Sequence, residues 1–176
     1  MDDIFNIKFT RGPVVGVWDF IMEIPLFLNI VQVGKKGWDI RLQEEFEKIE
    51  FLKKHTKNIT FTKIEQDSKN PRIFFVEGTS EQNEKLQFKL RLPINYPYIP
   101  PYAEEYYHGK YSFYSYSDHG KVACLDKINN RWNKEGRHGI AHFLAMLGYY
   151  TAIARYNVNL STFKSKIKRV TKKKIR

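Results

Sequence analysis

Phe88-Lys89-Leu90-Arg91-Leu92-Pro93-Ile94-Asn95-Tyr96-Pro97-Tyr98-Ile99-Pro100-Pro101 is the stretch whose reading decides the fold. Phe88, Leu90 and Leu92 alternate with Lys89 and Arg91, the pattern of a half-buried strand. Pro93 ends that strand. Pro97, Pro100 and Pro101 then fix φ and remove backbone donors, so this part of the chain is neither helix nor central strand. The segment reads as a stiff corner between a sheet and a loop. Beyond it come a tyrosine-rich stretch, then His119-Gly120-Lys121-Val122-Ala123-Cys124-Leu125-Asp126, then Trp132. Cys124 is the only cysteine.

Working outward, residues 38–55 have helical spacing. Leu42, Phe46, Ile49 and Leu52 share a face, Gln43, Glu44, Glu47, Lys48 and Lys54 lie elsewhere, and Asp39 is the expected N-cap. Ile59–Ile64 and Arg72–Glu77 are rich in β-branched and aromatic residues and read as strands, as does Lys85–Leu92. Ser68–Pro71 and Gly78–Glu84 supply the turns between them. Three sequential strands on short loops imply an antiparallel meander. Tyr102 to Lys121 reads as a long loop packed down by its tyrosine rings. From Gly139 to Tyr156, Ile140, Phe143, Leu144 and Leu147 share a face, with small residues at Ala141, Ala145, Gly148 and Ala152. That is a buried helix crossing the sheet. A last short helix from Ser161 would put Phe163, Ile167 and Val170 on its apolar side. The expected class is α+β.

Tyr96-Pro97-x-x-Pro100-Pro101, Gly120, Cys124-Leu125-Asp126 and Trp132, in this order between two helices, resemble the ubiquitin-conjugating enzyme family. The resemblance covers residues 38–157. It implies a meander sheet flanked by an N-terminal helix and a central helix. It also implies that Cys124 carries ubiquitin or a ubiquitin-like protein as a thioester, with an activating enzyme and a ligase as partners. A thiolate is both nucleophile and leaving group, which suits loading and transfer to a lysine.

The chain departs from the family in two places. There is no His-Pro-Asn, whose asparagine supports the oxyanion. Ala123 is an extra residue between Gly120 and Cys124, so the asparagine position falls on Ser115 or Tyr116, either of which offers one hydroxyl donor. Downstream, Arg155-Tyr156-Asn157-Val158-Asn159 carries no acid where the family has an acidic or serine gate. These departures keep open a second class of function, an inactive relative built into a larger assembly, with Cys124 a small buried hydrophobe.

Other chemistry finds less support. Asp118 and His119 next to Cys124 would suit a cysteine hydrolase only if the fold brought them together. His138 and His142 are spaced i, i+4, but Gly139 stands where a zincin needs glutamate. No cysteine pair exists for structural zinc. No metal or cofactor is expected.

At 176 residues the chain is one domain with appendages; 42% hydrophobic and 15% aromatic content argue for a packed core. One cysteine excludes a disulfide framework and suits a reducing, intracellular setting. The N-terminal extension, residues 1–37, is broken by Asp19, Glu23, Pro25 and Asn29, too often for a membrane span. Trp18, Phe20, Ile21, Leu26, Phe27 and Leu28 are expected to be shielded by the body or a partner chain. Most of the net charge of +11 sits at the other end. Lys164, Lys166, Lys168, Arg169, Lys172, Lys173, Lys174 and Arg176 lie there without an acid. This basic tail, within residues 158–176, would suit an acidic protein surface, nucleic acid or an anionic membrane.

Overall fold

A computed structural model describes residues 23–56, 59–80, 83, 85–107, 110–113 and 125–148. Helix α1 spans Trp38–His55. Five strands come next, β1 (Ile59–Gln66), β2 (Ile73–Ser80), β3 (Lys85–Arg91), β4 (Tyr102–Tyr107) and β5 (Lys110–Phe113), then a short helix α2 (Leu125–Arg131). Residues 140–148 form a further helix.

The strands lie in the sheet in sequence order, β1-β2-β3-β4-β5, and every neighbouring pair is antiparallel. The α+β expectation and its antiparallel meander therefore hold, but the meander is longer than the sequence suggested. Tyr102–Tyr107 and Lys110–Phe113 are strands, where a loop was expected. Long-range pairing explains the difference. β4 finds its ladder partner in β3, with Leu90 opposite Ala103, and Glu104 opposite Lys89. Strand formation there depends on neighbours distant in sequence, which local propensity does not record. Gly78, expected at the start of a turn, stays inside β2, opposite Phe61 and Leu86.

One face of the sheet is the core. Phe74, Val76, Leu86, Phe88 and Leu90 alternate inward, against Ile140, Phe143, Leu144 and Leu147 of the helix over 140–148 and Ile49 and Leu52 of α1. Each such side chain contributes about 1.5–3 kcal/mol when fully buried. Ile24, Phe27 and Val33 are also buried, so part of the N-terminal extension packs into this body. Leu26 and Leu28, at 48% and 83% exposure, are not shielded by the described residues. Trp18, Phe20 and Ile21 lie outside the described residues.

The start of α1 corrects another expectation. The N-cap is Gly37, at φ 92°, and Asp39 sits in the first turn, where its charge suits the helix N-terminus. The buried face of α1 also differs from the apolar stripe. Ile49 and Leu52 are inside, Phe46 is 38% exposed, and Arg41, Glu44 and Glu45 are buried. No helix among the described residues is long and apolar enough to cross a membrane.

Candidate functional site: a charged hub behind the proline turn

The proline corner starts where β3 ends. The Tyr96–Pro97 peptide is cis. Tyr96 is fully buried, while Tyr98 and Ile99 of the same corner are 39% and 37% exposed. The corner is fastened from two sides. The indole Nε1–H of Trp132, just past α2, donates to the Pro97 carbonyl at 2.8 Å. The Tyr96 hydroxyl donates to Glu45 Oε1.

Glu45 reaches the corner because the helix puts it one turn after Arg41. Arg41 Nε donates to Glu45 Oε1 at 3.1 Å, and both side chains have no exposed surface. The other oxygen, Oε2, takes the Ile140 backbone N–H at 2.9 Å and so fills an orphan donor at the start of the helix over 140–148. The Arg41 guanidinium also donates to three backbone carbonyls. Nη1 donates to Asn29 at 2.8 Å and Gly136 at 2.9 Å, and Nη2 to His138 at 2.7 Å. Its flat face lies 3.6 Å from the Phe27 ring centroid. A buried charge pair is tolerable only where hydrogen bonds on both members offset its desolvation. Burial pushes the Glu45 carboxyl upward, against the opposing pull of Arg41, the Tyr96 hydroxyl and the Ile140 N–H. Burial, reinforced by the Glu45 charge, holds the Tyr96 phenol well above its ordinary value.

The hub admits no extra atoms. A Cβ on Gly139 would stand 2.3 Å from Phe27 Cε2 and 2.6 Å from Glu45 Oε2. Gly136, at φ 83°, would meet Ile30 Cγ2 at 2.8 Å. These glycines let residues 27–30, α1 and the proline corner converge.

Glu44 anchors the same segment from the outside. Burial acts to raise its pKa, but the Leu28 and Asn29 N–H groups, the Asn29 amide and Lys48 outweigh it, and the net shift is downward. His138 and His142 stack at 4.6 Å. Each Nδ1 accepts a backbone N–H, from Asn133 and Gly139 respectively. His142 Nε2 therefore carries the proton and donates to the Ile24 carbonyl at 3.2 Å. Burial lowers the His138 pKa to about 4. Burial and then His138 lower that of His142 to about 3. This pair is packing, with both Nδ1 atoms engaged by the backbone. No group of three His, Cys, Asp or Glu poised for a metal occurs among the described residues.

Cys124, Ser115 and Tyr116 lie outside the described residues, as do Asp118, His119 and the basic tail. Described elements bracket residues 114–124. β5 ends at Phe113 and α2 begins at Leu125, directly after Cys124. What sequence patterning does not disclose is the hub. By pattern alone Arg41 and Glu45 belong to a helix surface and Tyr96 to a turn. Only the i, i+4 spacing of Arg41 and Glu45 hints at a pair.

No protein-family model matches the chain, and no curated protein matches it. Among solved structures it is similar to the crystal structure of a ubiquitin conjugating enzyme E2 from Plasmodium falciparum. The identity is 24% and the TM-score 0.44, over 68% of this chain and 89% of that chain.

Proposed function

We propose that this chain is a ubiquitin-conjugating-enzyme-like protein that carries ubiquitin or a ubiquitin-like protein as a thioester on Cys124. The observation that carries the reading is the hydrogen bond from Trp132 to Pro97. It ties together the two ends of the motif series, the proline corner and the tryptophan, with Cys124-Leu125-Asp126 between them in sequence. The Cys124 thiolate would take the acyl group from an activating enzyme and release it to a lysine amine. Ser115 or Tyr116 would donate to the oxyanion formed in transfer.

The test is charging with activating enzyme, ubiquitin-like protein and ATP, resolved without reductant. A reductant-sensitive adduct is expected, stable as an ester in Cys124→Ser and absent in Cys124→Ala. Ser115→Ala or Tyr116→Phe should spare loading and slow discharge to lysine by about tenfold to a thousandfold. No adduct with any activating enzyme would sink the carrier reading.

A second reading, an inactive subunit of a larger assembly, is favoured by the missing His-Pro-Asn and by the exposed Leu28 next to the Glu44 anchor. It predicts an unreactive Cys124 thiol in the intact protein. The basic tail would serve either role as an electrostatic anchor, weakening steeply with added salt.

A further inference from the structure

An open groove of about 420 Å³ lies at the proline corner, bordered by its residues Pro93, Ile94, Asn95 and Ile99. Its lining includes Arg72, Arg91, Ile94, Ile99 and Tyr102, and no acid. The backbone beneath it is fixed. The Arg72 carbonyl takes the Leu92 N–H at 2.7 Å, and Asn70 Oδ1 takes the Arg72 N–H at 3.0 Å. On the facing wall the Asn95 carbonyl takes the Tyr98 N–H at 2.8 Å. Arg91 is held opposite Ile73 in the ladder and opposite Tyr102 on its other side.

Two features of this groove ask for a partner. Neither guanidinium has a carboxylate within 4 Å among the described residues, although five other ion pairs form there. Ile94 is 71% exposed and Tyr102 49%, which leaves apolar walls open beside the two charges. Guanidinium forks match carboxylates in a bidentate fashion. The walls are mainly aliphatic and give bases little to stack on, which disfavours a nucleic acid strand.

We infer that this groove docks an acidic, extended peptide segment of a partner protein, with carboxylates on Arg72 and Arg91 and an apolar side chain against Ile94 and Ile99. The surface belongs to the groove itself and does not depend on Cys124 being reactive.

The experiment uses the full chain and a fluorescein-labelled heptapeptide, Glu-Asp-Glu-Leu-Phe-Glu-Asp, read by fluorescence anisotropy at fixed salt. Saturable binding is expected. It should weaken about tenfold or more in Arg72→Glu and in Arg91→Glu, and comparably in Ile94→Ser. Arg91 and Ile94 are exposed and Arg72 is half-buried, and circular dichroism of each variant checks that the fold is kept. The same peptide with serine in place of leucine and phenylalanine should bind at least several-fold more weakly. Affinity unchanged in the Arg72→Glu/Arg91→Glu double variant would place the peptide on the basic tail and overturn the proposal. So would equal binding of the serine peptide, absence of saturable binding, or a DNA oligonucleotide that binds more tightly than the peptide and needs both arginines.

Discussion

Glu45 is the residue on which most of the described structure converges. Its two oxygens hold Arg41, Tyr96 and Ile140, which belong to three separate parts of the chain. Removing one partner of a buried pair leaves the other charge without compensation, so Glu45→Leu should cost about 3–5 kcal/mol. Arg41→Met alone should cost a similar amount, because it also abandons three carbonyls. The double variant should be less destabilised than the sum of the singles, since neither charge is then stranded. Urea midpoints of the four proteins measure this. Additive losses would mean that the two side chains do not interact. Gly139→Ala tests the same point sterically. Its methyl has no space beside Phe27, so a loss of about 1–3 kcal/mol is expected.

The histidine pair turns the same packing into a pH dependence. Both rings have folded pKa values, about 4 and about 3, below their ordinary value of 6.5. Above 6.5 both folded and unfolded chains are neutral at these positions, and the pair contributes no slope. As pH falls from 6.5, the unfolded chain takes up protons that the folded chain refuses. Stability must then decline until pH passes below about 3. Glu45 acts in the opposite sense, because its raised pKa lets the folded chain bind a proton first. Thermal midpoints between pH 7.5 and 4.5 should fall, and His142→Gln should flatten the fall. An unchanged slope in that variant would exclude His142 as a source.

At the scale of elements, α1, β1, β2 and β3 were legible, because their alternation or helical spacing reports burial on one face. β4 and β5 were not. Their sequence, with adjacent Glu104 and Glu105 among tyrosines, becomes strand only through the partners that β3 supplies to β4 and β4 to β5. The short helix α2 carries no apolar stripe long enough to be read. The hub was hidden for a related reason. An arginine and a glutamate on a helix are ordinarily solvated, and the carbonyls that bury this pair come from residues 29, 136 and 138. The proline corner was legible as a turn, but its fastening to Trp132 was not. Trp132→Phe keeps most of the packing and strands the Pro97 carbonyl. A loss of about 1–3 kcal/mol should result. A variant as stable as the parent would show that water replaces the indole without penalty.

For the molecule as a whole, the decisive feature is that part of the N-terminal extension lies inside the fold. Ile24, Phe27 and Val33 are 2%, 0% and 8% exposed. Asn29 gives its carbonyl to Arg41, and the Leu28 and Asn29 N–H groups hold Glu44. The Phe27 N–H bonds the Arg137 carbonyl at 2.9 Å, and the Ile24 carbonyl receives His142. A chain starting at residue 34 would expose the core where three side chains stood, each contributing about 1.5–3 kcal/mol. It would also leave a buried arginine short of an acceptor. Set against a typical total stability of about 5–15 kcal/mol, that loss should unfold or aggregate the truncated chain. A chain starting at residue 23 keeps every one of these contacts. Removing residues 1–22 and removing residues 1–33 should therefore differ sharply in soluble yield and in urea midpoint. Equal midpoints for the two truncations would mean that residues 23–33 are an accessory strap and that the hub closes without them.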